Sequence, residues 1–192
     1  MQIRIETSSR HIHLCQDDID ILFPAGLTKL KDLSQPGQYA CNERVTVITA
    51  GGSLTCRVLG PARSASQLEV SVSDTRTLGI PAIVRQSGNL TDLKTVTVRG
   101  VGHKTVQVAV MVAKAHIHMS VEDARAEGFI DGEEAVLQTN SNGRRGMLPA
   151  IVRISPSFIT SAHIDTDEAN ALGNTTVGIV NAWVYNHLRD MA

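Results

Sequence analysis

The chain has 192 residues, with 18 Lys and Arg against 19 Asp and Glu and a formal net charge of −1. Hydrophobic residues make up 42% and charged residues 19%, the balance of an ordinary folded chain long enough for one domain or two small ones. The even charge and the few aromatics (three Phe, two Tyr, one Trp) argue against nucleic-acid binding, and no apolar run reaches membrane-spanning length.

In chain order, Met1 to Ser9 lacks the apolar stretch of a secretory signal. Gln16 to Phe23 reads as a short helix stopped by Pro24 and Gly26. Arg44–Thr49 and Ser53–Leu59 flank Ala50-Gly51-Gly52 and predict a hairpin. Gln67–Ser73 alternates apolar and polar residues and predicts a strand. Thr95–Val98 and Thr105–Val112 flank the turn Gly100-Val101-Gly102-His103. Ser120 to Asp123 resembles a capping box opening a helix over Ala124–Glu127 that ends at Gly128. Glu134–Thr139 and Met147–Ile154 flank Ser141-Asn142-Gly143, a further hairpin. Asp167–Leu172 predicts a helix closed by Gly173, and Ile179–Leu188 a fourth. Many short strands between glycine turns point to small barrels or sandwiches, mainly β with short helices.

Cys15, Cys41 and Cys56 are odd in number and far apart, without a C-x-x-C pair. A reducing, cytosolic setting without disulfides is expected.

The histidines carry the chemistry. His11-Ile12-His13 and His116-Ile117-His118 repeat the pattern H-I-H about 105 residues apart, with Asp18 and Asp123 at matching offsets. This echo predicts two related modules. Strand side chains at i and i+2 share a face, so each H-x-H offers two imidazoles to one cation while the isoleucine packs behind. One such pair is more often a pair of surface or hydrogen-bonded histidines than a metal site; two copies favour a shared ligating purpose. His163 in Ala162-His163-Ile164-Asp165 can complete a three-histidine set, and many carboxylates could complete the other. His103 and His187 are expected to be exposed.

Five ordered motifs then resemble one family: SSRHIHL (Ser8–Leu14), KDLSQPGQYA (Lys31–Ala40), RVLGPAR with QLE (Arg57–Glu69), AHIHMS (Ala115–Ser120) and HIDTDEANA (His163–Ala171). Together they are similar to the PduL-type phosphate acyltransferases, or phosphate propanoyltransferases, from about Ile5 to Ala171. The resemblance implies two small β-barrel domains capped by short helices, with the active site at their junction. One is discontinuous, residues 1–10 plus 117–192, and the other is inserted, residues 11–116.

It further implies a dinuclear zinc site. His11, His13 and Glu69 resemble the ligands of one zinc, which also takes the coenzyme A sulfur. His116, His118 and His163 resemble those of the second, which faces water or phosphate. Arg63 matches a phosphate-binding arginine. Thr7, Ser8, Ser9, Arg57 and Asn170 match positions associated with coenzyme A.

Three places depart from the family pattern. Cys15 stands where Ser is usual, at an offset suited to a helix cap. Ala50-Gly51-Gly52 lacks a frequent lysine, and Ile83 and Gln86 differ from the common residues.

The implied reaction is reversible transfer of a propanoyl or acetyl group between coenzyme A and phosphate, with acyl-CoA, phosphate and acyl phosphate as partners. The resemblance leaves open a homodimer and a place in a bacterial microcompartment, among its shell or core proteins. Met1 to Thr7 is too short for the amphipathic signal helix of some relatives. The competing readings are a metal-dependent hydrolase of an ester, thioester or phosphate, and a non-catalytic zinc- or coenzyme A-binding module.

Overall fold

The computed structural model describes residues 1–181. The first half of the chain forms β1 (Gln2–Ser8), β2 (His11–His13), α1 (Gln16–Leu22), β3 (Lys29–Asp32), β4 (Tyr39–Ile48), β5 (Ser53–Gly60), β6 (Gln67–Val70), α2 (Val72–Leu78), β7 (Val84–Arg85) and β8 (Thr95–Arg99). A 3-10 turn, Val101–His103, follows. The second half then gives β9 (Thr105–Ala113), β10 (His116–Met119), α3 (Val121–Glu127), β11 (Glu134–Ser141), β12 (Arg144–Ile154), β13 (Ser161–Asp165), α4 (Thr166–Ala171) and β14 (Val177–Asn181). Apart from β3 and β7, the two halves run through the same elements in the same order.

The strands close two barrels of six, carried by two compact units. Among the described residues, one unit takes residues 1–8 and 114–181; the other is Ser9–Ala113. The first barrel runs β1-β13-β10-β12-β11-β14 and closes through antiparallel pairing of β14 with β1. The second runs β4-β5-β2-β6-β9-β8 and closes through β8 on β4, with β3 added beside β4 and β7 beside β9.

The barrels match strand for strand. Each H-I-H strand lies parallel to one neighbour (β5 or β12) and antiparallel to another (β6 or β13). β1 and β9 occupy equivalent places, parallel to β13 and β6. The opening strand of each half therefore completes the barrel built by the rest of the other half. Closure removes the free strand edges that an open sheet would expose.

Period-two alternation fills both interiors. In one barrel Ile3, Ile5, Ile117, Met119, Leu137, Val152 and Ile164 form the core. In the other Ile12, Val45, Val47, Val58, Leu68, Val98 and Val110 do so. Burying each such side chain stabilises the fold by about 1.5–3 kcal/mol relative to exposure. It also turns the intervening histidines to the outer face of the wall. Cys41 and Cys56 are buried and all three cysteines are free. Burial pushes the Cys56 thiol up to about 12, so it behaves as a small apolar side chain.

The hairpins at Ala50-Gly51-Gly52 and Asn142-Gly143 form as their turn residues predict. Helix α3 starts at Ser120, whose hydroxyl accepts the Asp123 amide, and stops at left-handed Gly128 (φ 77°). Cys15 sits at the N-cap of α1 without a side-chain capping bond; its amide instead donates to Ser66 Oγ at 2.9 Å. Ser66 also donates to Asp18, and Thr160 links Asp123 to the Ser120 amide in the same way. Matched hydroxyls thus anchor both helices that follow H-I-H.

Two predicted elements differ. The strand over Gln67–Ser73 ends at Val70, because Ser71 and Asp74 form a reciprocal capping box and Val72–Leu78 turns into α2. The helix over Ile179–Leu188 is a strand as far as Asn181, paired with β1 and β11; the rest of it, with His187, lies outside the described residues. His103 is exposed, as expected.

Helix α4 carries a second capping box, Asp165 with Glu168. Burial, against the amide of Asp165 and with the charges of Asp165 and Asp167, pushes the Glu168 carboxyl up to about 7. The folded state therefore holds a proton that the unfolded chain releases near pH 4.3. This contribution is complete below that pH and is lost as pH rises through about 7. Glu168→Gln keeps the box and removes the titration. Between pH 5 and pH 8 the parent should lose on the order of 1 kcal/mol relative to the variant, after allowing for partial solvent exposure. Urea unfolding of both proteins at the two pH values measures this, and equal pH slopes would refute it.

Candidate metal centres and active site

The first cluster forms where β2 lies between β5 and β6. Antiparallel pairing sets His11 opposite Glu69. The inward neighbours Ile12 and Leu68 hold both side chains on the outer face. His11 donates through Nδ1 to the Ser9 carbonyl at 2.8 Å, which leaves Nε2 directed to Glu69 Oε2 at 3.4 Å. The rings of His11 and His13 stand edge to face, with centroids 5.0 Å apart.

All three side chains are buried. Burial alone would raise the Glu69 carboxyl, but His11, then His13 and the Ser87 hydroxyl, hold it far below the usual carboxylate range. Burial opposes charge on His11, yet the Glu69 carboxylate and the Ser9 carbonyl outweigh it and raise that imidazole. Burial, with the neighbouring His11 and Arg63, presses His13 down to about 3 and keeps it neutral.

The second cluster repeats this plan on β10 and β13. His116 faces His163 across the antiparallel pair, in the register that sets His11 against Glu69. His116 donates through Nδ1 to the Lys114 carbonyl at 3.0 Å, matching His11 and Ser9. The His116 and His163 rings stack with centroids 5.3 Å apart, and His118 lies edge-on to His163 at 4.7 Å. Phe158 packs on His118 at 4.3 Å, and Ser161 Oγ lies 3.1 Å from His163 Nε2.

A network that sequence reasoning missed surrounds Glu69. Gln67 Nε2 donates to Glu69 Oε1 at 2.5 Å, and Ser87 Oγ donates to the same oxygen at 2.7 Å. Arg63 Nη1 donates to Ser87 Oγ at 3.2 Å, and the Gly88 amide donates to Gln67 Oε1 at 3.0 Å. The segment with the unusual Gln86 thus reaches the cluster through Ser87. Gln67 had a signal, since it sits two residues before Glu69 on one strand face. Ser87 had none, because its approach depends on a loop closing over β6.

Beside the cluster lies a cavity of about 250 Å³ lined by His13, Pro36, Gly37, Gln38, Gly60, Pro61 and Arg63. A Cβ at Gly60 would lie 2.3 Å from the Tyr39 ring, so a larger residue at that wall would have to displace the ring. Arg57 stands opposite His11 on β5 and donates to the Cys41 carbonyl at 2.5 Å. Thr7 and Ser9 are exposed and Ser8 half-buried, while Asn170 projects exposed from α4.

Both clusters can hold a metal. Within each, the donor atoms lie within 4.8 Å of one another. Ligation needs neutral imidazoles and an ionised carboxylate, the states in which His13 and Glu69 already stand. His13 Nδ1 is buried without a well-aligned hydrogen bond among the described residues, although the Leu59 backbone lies near the ring, and a cation at the cluster would satisfy the imidazole. Nitrogen and oxygen donors in sets of three suit zinc with a position left for solvent or substrate.

Comparison with known proteins places the chain. The family model described as phosphate propanoyltransferase matches residues 4–175. The chain is similar to the phosphate propanoyltransferase of Clostridioides difficile (45% identical, covering 89% of this chain and 84% of the relative). It is also similar to that of Enterococcus faecalis (47%, covering 89% and 83%) and that of Citrobacter freundii (42%, covering 89% and 83%). No described helix is long and apolar enough to cross a membrane. With the match running through both histidine clusters, the chain belongs to the phosphate propanoyltransferase family, a family of acyltransferases.

Proposed function

We propose that the protein reversibly transfers a short acyl group, propanoyl or acetyl, between coenzyme A and inorganic phosphate with two zinc ions, one at each cluster. The observation that carries this reading is the pair of matched three-donor clusters, one of them opening beside a cavity that Arg63 lines. The bound ions would supply Lewis-acid charge, favouring the coenzyme A thiolate at His11, His13 and Glu69 and accepting phosphate at His116, His118 and His163.

The chain's own residues handle the anions. Arg63 presents a planar fork that can pair with two phosphate oxygens at once. Ser87 and Gln67 hold the Glu69 carboxylate in one orientation, so it acts as a fixed negative ligand and not as a base. Arg57, Asn170 and the Thr7–Ser9 segment are assigned to coenzyme A. In the direction of thioester formation the sulfur attacks the acyl carbonyl carbon of the acyl phosphate, the tetrahedral oxyanion collapses, and the bond to the phosphate oxygen breaks. Phosphate leaves with the electron pair, and Arg63 offsets its charge.

Thiol consumption with acetyl and propanoyl phosphate, run beside zinc quantification, tests the reading. Coenzyme A-dependent thioester formation with two zinc ions per chain is the expected result. Phosphate release without coenzyme A would establish the hydrolase instead. We assign the protein to the cytosol, with a bacterial microcompartment as the alternative destination.

A further inference from the structure

We propose that Glu6 is the charge-balancing carboxylate of the second metal centre, tightening its hold on the divalent cation. The inference rests on the reading that His116, His118 and His163 bind a metal.

The two barrels make the comparison. In the barrel of the first cluster, β6 runs parallel to β9 and sets Glu69 beside Met111. In the other, β13 runs parallel to β1 and sets His163 beside Glu6. β9 and β1 hold equivalent positions, so Met111 and Glu6 occupy the same place relative to their clusters. Met111 is buried but absent from the barrel core, which contains its neighbours Val110 and Val112. Its side chain therefore lies on the Glu69 face. Glu6 likewise follows the inward-facing Ile5 and shares the outer face with His163. Each H-I-H pair thus has one carboxylate near it, Glu69 on β6 as a member of the first cluster and Glu6 on β1 beside His163 of the second.

The geometry of Glu6 fits that role. Its Oε2 lies 3.9 Å from His163 Nε2, with both side chains less than one-fifth exposed. That separation exceeds a hydrogen bond and is longer than the roughly 3.4 Å between neighbouring ligands of tetrahedral zinc, so Glu6 stands beside the cluster as a countercharge. On the outer side Arg4 Nε lies 3.3 Å from Glu6 Oε1, although the Arg4 side chain is 73% exposed. Oε1 is thereby held in an ion pair while Oε2 faces His163. A dication held by three neutral imidazoles keeps its full charge in a half-buried site, and an adjacent carboxylate offsets it. Carboxylates beside metal-bound histidines change metal affinity by about 10–100-fold.

Glu6→Gln keeps the size and removes the charge. Purified parent, Glu6→Gln, Glu6→Asp and His163→Ala are titrated with a zinc chelator, and the release of each ion is followed without turnover. The parent is expected to release its two ions in separate steps, with His163→Ala lacking the step that belongs to the second centre. In Glu6→Gln that step should move to about 10–100-fold weaker affinity while the other stays in place, with Glu6→Asp intermediate. Cobalt substitution supplies a spectroscopic signature: the band of the second centre should shift in Glu6→Gln. Parent-like release of both ions from Glu6→Gln, or equal weakening of both, would overturn the inference. A parent that binds no metal at His163 would instead overturn the metal reading beneath it.

Discussion

His116→Ala should purify with one zinc ion per chain in place of two and lose acyl transfer by about a thousandfold or more. His116 is central to its cluster: it opens the H-I-H strand, faces His163 across the antiparallel pair and stacks on that ring. Removing it leaves two imidazoles, too few for a stable site with three protein ligands. The side chain lies outside the barrel core, which Ile117 and Met119 fill, so the fold should survive. The first cluster is built on separate strands and should keep its ion. Elemental analysis beside the thiol assay reads both consequences. Two ions per chain with near-parental turnover would sink the assignment of this centre.

Arg63→Lys should lower kcat/KM for acyl phosphate about a hundredfold, roughly 2.7 kcal/mol of transition-state stabilisation, with zinc content unchanged. Lysine conserves the charge but offers a single ammonium in place of a planar fork, so two-point contact with phosphate is lost. It also gives up the Nη1 bond to Ser87, although Glu69 retains its bonds from Ser87 and Gln67. The main chain at this position should hold, because the Arg63 amide donates to the Leu14 carbonyl at 2.9 Å. Steady-state kinetics in both directions separate the effects: phosphate KM and kcat should suffer together while coenzyme A KM changes little. Unchanged phosphate kinetics would remove Arg63 from the reaction.

Local chemistry explains which elements the sequence disclosed. Ser120 and Gly128 bound a helix through hydrogen bonds to near neighbours and a backbone angle glycine readily adopts, so both ends of α3 were legible. The two glycine-containing hairpins were legible for the same reason. The strand over Gln67–Ser73 misled because Val70 and Val72 continue the alternation while Ser71 and Asp74 reverse the backbone. Two signals overlapped there, and the cap prevailed. At the C-terminal end, Val177–Asn181 is a strand because β1 and β11 offer it backbone partners on both sides.

By itself, the sequence determined the paired H-I-H strands, the histidine face that each presents, and the motifs that mark the family. Each depends on residues close in sequence: alternation along one strand needs no distant partner. Tertiary structure alone decided the rest. Barrel closure paired β1 with β13 and β9 with β6, so the two halves exchange their opening strands. That exchange set Glu6 beside His163 and Met111 beside Glu69, while a loop far along the chain brought Ser87 onto the carboxylate. Such contacts follow from strand register and closure, which many chains with the same local pattern could satisfy differently.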